Sequence, residues 1–317
     1  MTTSRFVNVS VLVLVNLMWA AQYPAYKIAA QYMSPAALNF WSLLVAAAIL
    51  APCQRLARRW EPVSGPGLDA RAIVDFVLLG VFGILPPSVL LSWGIAHSTA
   101  ANAAIIQLTI PVLMALLAVW ILGERLSMLR VAGLAAALLG TVMTSRRDFA
   151  GADVGLLAGN AVIFLSGLGS AFFNTYSKRL LPRFGGVPVL VYTYLVALIC
   201  CAATSILTDS TPFYALRGMP AELWLSIAAL GSMTWGIAMV LWMWVLGRLE
   251  ALQVSASVYM LPIFGVLLSA IFLGERITWP QAAGGLLVFA ATFITSEWEA
   301  RRQVAGDPSF TQKAAGR

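Results

Sequence analysis

The chain is 317 residues long, 60% hydrophobic and only 10% charged, with a net charge of +7 and a pI near 9.7. Soluble domains carry about 25% charged residues, so this composition excludes a water-soluble globule. The basic residues lie in short connections and at the chain ends, which excludes a nucleic-acid footprint, where they would gather into one patch.

Stretches free of Asp, Glu, Lys and Arg run 6–26, 28–54, 76–123, 131–145, 154–177, 184–208, 223–247, 251–274 and 277–296. A helix needs about 20 apolar residues to cross the hydrocarbon core of a bilayer. The run 76–123 is long enough for two and divides at GIAHSTAAN, residues 94–102. The sequence therefore predicts an all-α integral membrane protein of ten transmembrane helices, spans 1 to 10 in chain order. The first run has a full-length counterpart later in the chain, which argues against a cleavable signal segment.

In span 1, Asn16, Trp19, Tyr23 and Tyr26 follow helical spacing and share one face, with Gln22 beside it. Polar groups inside a span need a reason. They read either as the wall of a substrate cavity, with Trp19 and Tyr23 deepest, or as an interhelical seam with Tyr26 anchored at the interface. The connection 54–72 carries four arginines and PVSGPG, and reads as a loop against anionic lipid. Span 4 holds Asn102, Gln107 and Pro111. Proline removes a helical hydrogen bond, so Pro111 is expected to free the carbonyl of Gln107. Ser166, Ser170 and Asn174 in span 6 suit close helix packing. Span 8 shows Trp235, Met239 and Trp242 on one face, with Trp235 the deepest. Span 9 repeats the proline at Pro262, with Ser257 and Tyr259 beside it. Substrate-binding candidates are thus Trp19, Gln22, Tyr23, Gln107, Trp235, Ser257 and Tyr259, and hinge candidates Pro111 and Pro262. Cys53, Cys200 and Cys201 lack ligand spacing and read as small buried hydrophobes. No cofactor or metal is expected.

A shift of 151 residues, without gaps, brings two halves into register. ILGERLS at 121–127 meets FLGERIT at 272–278, Lys27 meets Lys178, Gly80 meets Gly231, and Pro111 meets Pro262. The expected organisation is a five-helix repeat over 1–150, a second over 151–298, and a polar cytoplasmic tail over 299–317. Five is odd, so the repeats must be inverted across the membrane, as in secondary transporters. Gly123 and Gly274 are placed to end a helix in left-handed conformation. Glu124 and Glu275 are then expected at the start of the next helix, where the dipole favours negative charge; the alternative is a direct gating ion pair of the corner. With both termini cytoplasmic, fifteen Lys and Arg fall inside and five outside. That bias predicts a multi-pass protein of a cell membrane, the bacterial inner membrane, with the termini in the cytoplasm.

The stretches LMWAAQYPAYKIAAQYMSPAAL (17–38), 94–143 and 246–293 resemble EamA-type members of the drug/metabolite transporter superfamily. The resemblance covers about 1–300 and implies a carrier that exports amino acids, other small metabolites or toxic compounds. Many members place an arginine early in span 2, where this chain has LNFWS (38–42), so no role of that arginine carries over.

The acidic residues fall at or near span ends, His97 lies in a connection, and no midplane group is placed to relay protons. The expected function is a secondary transporter of small neutral or zwitterionic metabolites, working by alternating access around a midplane cavity. Its partners would be that small-molecule substrate and the lipid bilayer. An intramembrane enzyme and a non-transporting scaffold are the alternatives.

Overall fold

The computed structural model describes residues 3–60, 68–122, 128–144, 154–209, 214, 218–246 and 260–306. Among them the regular elements are all helical and form ten longer stretches, with one short turn of helix, Leu181–Phe184, between the sixth and seventh. Helix α1 runs Thr3–Ala20 and resumes as Gln22–Ala29; α2 is Pro35–Trp60 and α3 Ala70–Ala96. Helix α4 joins Ala100–Ile106 to Ile110–Leu122, α5 is Met128–Thr144, α6 Val154–Arg179 and α7 Gly186–Thr208. Helix α8 joins Ala221–Ala228 to Ala238–Leu246, α9 is Met260–Leu273 and α10 Trp279–Gly306. Among the described residues five segments are long and apolar enough to cross a membrane: Pro35–Gln54, Ala70–Ala96, Val154–Arg179, Gly186–Thr208 and Ala221–Val245. Shorter apolar helices cover Ala100–Met114, Val131–Met143 and Met260–Leu273.

Helices α2 and α10 run furthest past the ends of the charge-free stretches that mark them. Helix α2 continues to Trp60, where a loop was expected from 54, and α10 continues to Gly306, past the expected start of the tail at 299. A helix satisfies its own backbone, so arginines at 55, 58, 59, 301 and 302 do not end it.

The internal breaks have local causes. Pro24 has no N–H for the carbonyl of Ala20, and α1 breaks at Ala21. In α3, Pro86 and Pro87 accompany two wide π segments, Leu79–Ile84 and Pro86–Leu90. The repeat-related part of α8, Ala229–Ile237, is also π-helical but holds no proline.

Packing repeats with the sequence. A Cβ on Gly80 of α3 would lie 2.5 Å from Val196 of α7. A Cβ on Gly231 of α8 would lie 2.6 Å from Val45 of α2. Both glycines and both valines are 151 residues apart. Each half therefore lends its second helix to the third helix of the other. Helices α5 and α10 meet just as closely, since a Cβ on Gly140 would fall 2.7 Å from the carbonyl oxygen of Gly284.

Polar ties join the connections in a consistent pattern. Ser34 donates to Asp209, linking the α1–α2 connection to the end of α7. At the other end Arg183 pairs with Asp69 at 3.1 Å, and Tyr176 donates to Asp75 at 2.6 Å. Asp69 also accepts the Ala72 amide, capping α3. That amide first, and Arg183 second, hold its carboxyl below the usual carboxylate range.

Candidate functional site

The polar face of α1 is where the halves converge. Trp19 is half-buried and its ring lies 4.9 Å from that of Trp242 in α8. Gln22 is half-buried beside the helix break. Tyr23 is fully buried at the crossing of α1, α4 and α9: a Cβ on Gly265 would lie 2.6 Å from Ala104 and 3.0 Å from the Tyr23 ring. Glycine at 265 is what lets the three helices approach so closely. Along this face Asn16 Nδ2 donates to the Leu12 carbonyl at 2.8 Å. Three buried polar atoms here have no protein partner: Asn16 Oδ1, Tyr23 Oη and Trp242 Nε1.

Tyr26 is not an interfacial anchor. It is wholly buried and sits at the centre of a five-helix network. Trp235 Nε1 donates to Tyr26 Oη at 3.2 Å, and Tyr26 Oη donates to Asn39 Oδ1 at 2.8 Å. Asn39 Nδ2 donates to the carbonyls of Pro35 and Ser88 at 2.8 and 3.1 Å. Tyr194 Oη donates to the Trp235 carbonyl at 2.9 Å. Spacing put Tyr26 on the right face. Asn39 and Tyr194 carried no such signal, because the contacts that bring them into the network reach other helices.

Gln107 is buried, and its Nε2 donates to Ser166 Oγ of α6 at 2.8 Å. The carbonyl that Pro111 was expected to free is occupied, because Gln107–Thr109 tightens into a 3-10 turn and the Ile110 amide donates to it. A 3-10 turn inside a helix absorbs the missing bond. Pro262 is buried in the first turn of α9 as described. Ser257 and Tyr259 lie outside the described residues, as does the first Gly-Glu-Arg corner.

The second corner is placed differently from expectation. Gly274 ends α9 with φ +66°, as a left-handed cap should. Glu275, however, does not serve the helix that follows. Its two oxygens accept the amides of Ala100 and Ala101 at the start of α4, at 3.0 and 2.9 Å. The start of α10 is served by Gln281, whose Oε1 accepts the Thr278 amide at 2.8 Å. Gln281 Nε2 in turn donates to Asn102 Oδ1 at 2.8 Å, and Asn160 Oδ1 accepts from Ser98 and Asn102. From α1, Lys27 Nζ donates to the carbonyls of Ile95, Ala96 and Ser98, with the first at 2.9 Å and the second at 3.2 Å. One short segment, 95–101, is thus gripped by a lysine on its carbonyls and a glutamate on its amides.

Apolar membrane-length helices and repeat-related packing between halves define the class of protein: a helical membrane protein with related halves. The chain belongs to the EamA-like transporter family, whose model matches residues 8–146 and again 157–297. It is 27% identical over 300 residues to a protein of Streptantibioticus cattleyicolor named as a probable terminal-alkyne amino-acid exporter, covering 94% of this chain and 96% of that one. It is 23% identical over 183 residues to a probable amino-acid metabolite efflux pump of Salmonella typhimurium, covering 56% of this chain and 61% of that one. A solved crystal structure, 19% identical, shares the fold with a TM-score of 0.61 over 92% of this chain and 96% of that one.

Proposed function

We propose that this chain exports small neutral or zwitterionic metabolites, amino acids foremost, by alternating access between two inverted repeats over 1–150 and 151–298. The substrate site is formed by Trp19, Gln22 and Tyr23 of α1, with Gln107 and Trp235 holding its walls through the helices they tie together. Ser257 and Tyr259 join it on sequence grounds, and Pro111 and Pro262 act as hinges. The excess of Lys and Arg at one set of connections sets both termini in the cytoplasm of a cell carrying the protein in its membrane.

One observation carries the substrate class. Asn16 Oδ1 and Tyr23 Oη of α1 and Trp242 Nε1 of α8 are buried without partners. A buried polar group left unsatisfied costs about 1–3 kcal/mol, and a bound ligand removes that cost. Two donors and an acceptor suit a carboxylate and an ammonium of one zwitterion, and no full charge on the protein is needed to hold it. The names of the two relatives point to the same chemistry.

Ligand-induced thermal stabilisation of the purified chain tests this. Saturation at 100 times Kd stabilises by about 2.7 kcal/mol, so a neutral amino acid that binds raises Tm by several degrees. Trp19→Ala and Tyr23→Phe are expected to cut that rise by half or more. A rise that both variants keep in full would move the site away from α1.

A further inference from the structure

We propose that Lys27 and Glu275 form a releasable latch on residues 95–101, and that Lys178 is its repeat-mate, engaging at the opposite end when this one lets go. The proposal rests on the alternating-access reading above.

The two ends of the molecule differ in one respect that the repeat makes visible. Frame contacts occur at both: Ser34 with Asp209 at one end and Arg183 with Asp69 at the other, each joining the connection after the first helix of a repeat to the far side of the other repeat. The lysines differ. Lys27 is half-buried with its ammonium on three carbonyls, whereas Lys178, 151 residues later, is exposed. Two residues related by an internal repeat yet held in opposite environments are what a two-state element looks like when caught in one state.

The chemistry of the latch fits reversible closure. Lys27 comes from α1 and Glu275 from the α9–α10 corner, yet both hold the turn between α3 and α4. Glu275 and the amides it accepts lie in different repeats, so this contact must break if the halves part at this end. So must the contact of Gln281 with Asn102. Charge-assisted hydrogen bonds are about twice as strong as neutral ones, while the peptide groups of 95–101 can be rehydrated once exposed. One turn further along α4, Ala104 packs against Gly265 of α9 beside Tyr23. The latch therefore bolts the end nearest the crossing point. By sequence Glu275 has its counterpart in Glu124, which lies outside the described residues, so the comparison of the two ends rests on the lysines.

Pulsed electron–electron distance measurement on the full chain in liposomes tests it. Spin labels are placed at exposed His97→Cys and Ile277→Cys, in a background with Cys53, Cys200 and Cys201 replaced by serine. Minor states of such equilibria are populated at roughly 0.1–10%. Glu275→Gln and Lys27→Met are each expected to raise the long-distance fraction about tenfold. Adding Lys178→Met to Glu275→Gln is expected to bring that fraction back towards the unmodified value, because the competing state loses its own lysine. General loosening of the fold would instead raise it further, and that result overturns the proposal, as does an unchanged distribution in Glu275→Gln. Thermal stability of each variant is recorded alongside. Exchange of labelled amino acid in the same liposomes separates the two readings. Distance shifts without any exchange keep the latch and reject the substrate reading; exchange with no shift rejects the latch and leaves the carrier.

Discussion

At the scale of single residues, two tyrosines three positions apart in α1 make opposite predictions. Tyr26 Oη accepts from Trp235 and donates to Asn39. Tyr26→Phe strands both partners, and is expected to cost about 1–3 kcal/mol and lower Tm by several degrees. Tyr23 Oη has no partner to lose. Tyr23→Phe removes a buried unsatisfied hydroxyl, so the ligand-free protein is expected to gain stability while ligand-induced stabilisation falls. A fall in ligand-free Tm for Tyr23→Phe would show that its hydroxyl is structural. Sequence spacing gathered Asn16, Trp19, Tyr23 and Tyr26 onto one face, because helical period is written in the chain. It left their roles undivided, since the partners that satisfy Tyr26 are 13 and 209 residues away. Glu275 teaches the same lesson. Its fitness for a helix N-terminus was legible, but which helix it serves is decided by packing between repeats.

At the scale of helices, the glycine pair Gly80 and Gly231 measures how tightly the repeats clasp one another. A Cβ on Gly231 would meet the Ser42 carbonyl oxygen at 2.6 Å, which is backbone and cannot turn aside. A Cβ on Gly80 meets the Val196 side chain at 2.5 Å and the Thr193 carbonyl only at 3.1 Å. Overpacking of this kind costs about 1–3 kcal/mol, so both alanine variants are expected to lose stability, Gly231→Ala the more. Equal Tm values for Gly231→Ala and the unmodified protein would contradict this packing. The register of 151 residues predicted that these glycines correspond. It did not predict their seats against α7 and α2, because hydropathy and spacing hold no information on which helices become neighbours. Helix ends were the least legible, as α2 and α10 show: charge marks where the membrane stops, while the helix ends where its hydrogen bonds do.

At the scale of the whole molecule, family membership and the fold together make the chain a membrane transporter, and the central claim is that it carries uncharged or zwitterionic metabolites without a proton relay. Among the described residues the buried polar side chains of the helices are tyrosine, asparagine, glutamine, tryptophan, serine and threonine. The direct measurement is counterflow of labelled neutral amino acids into liposomes holding the full chain and preloaded with unlabelled substrate, at clamped membrane potential, with a pH gradient imposed inward, outward or not at all. The account predicts saturable exchange at one rate under all three conditions. Exchange no greater than in empty liposomes across the amino acids tried, or a rate that follows the direction of the pH gradient, would contradict it.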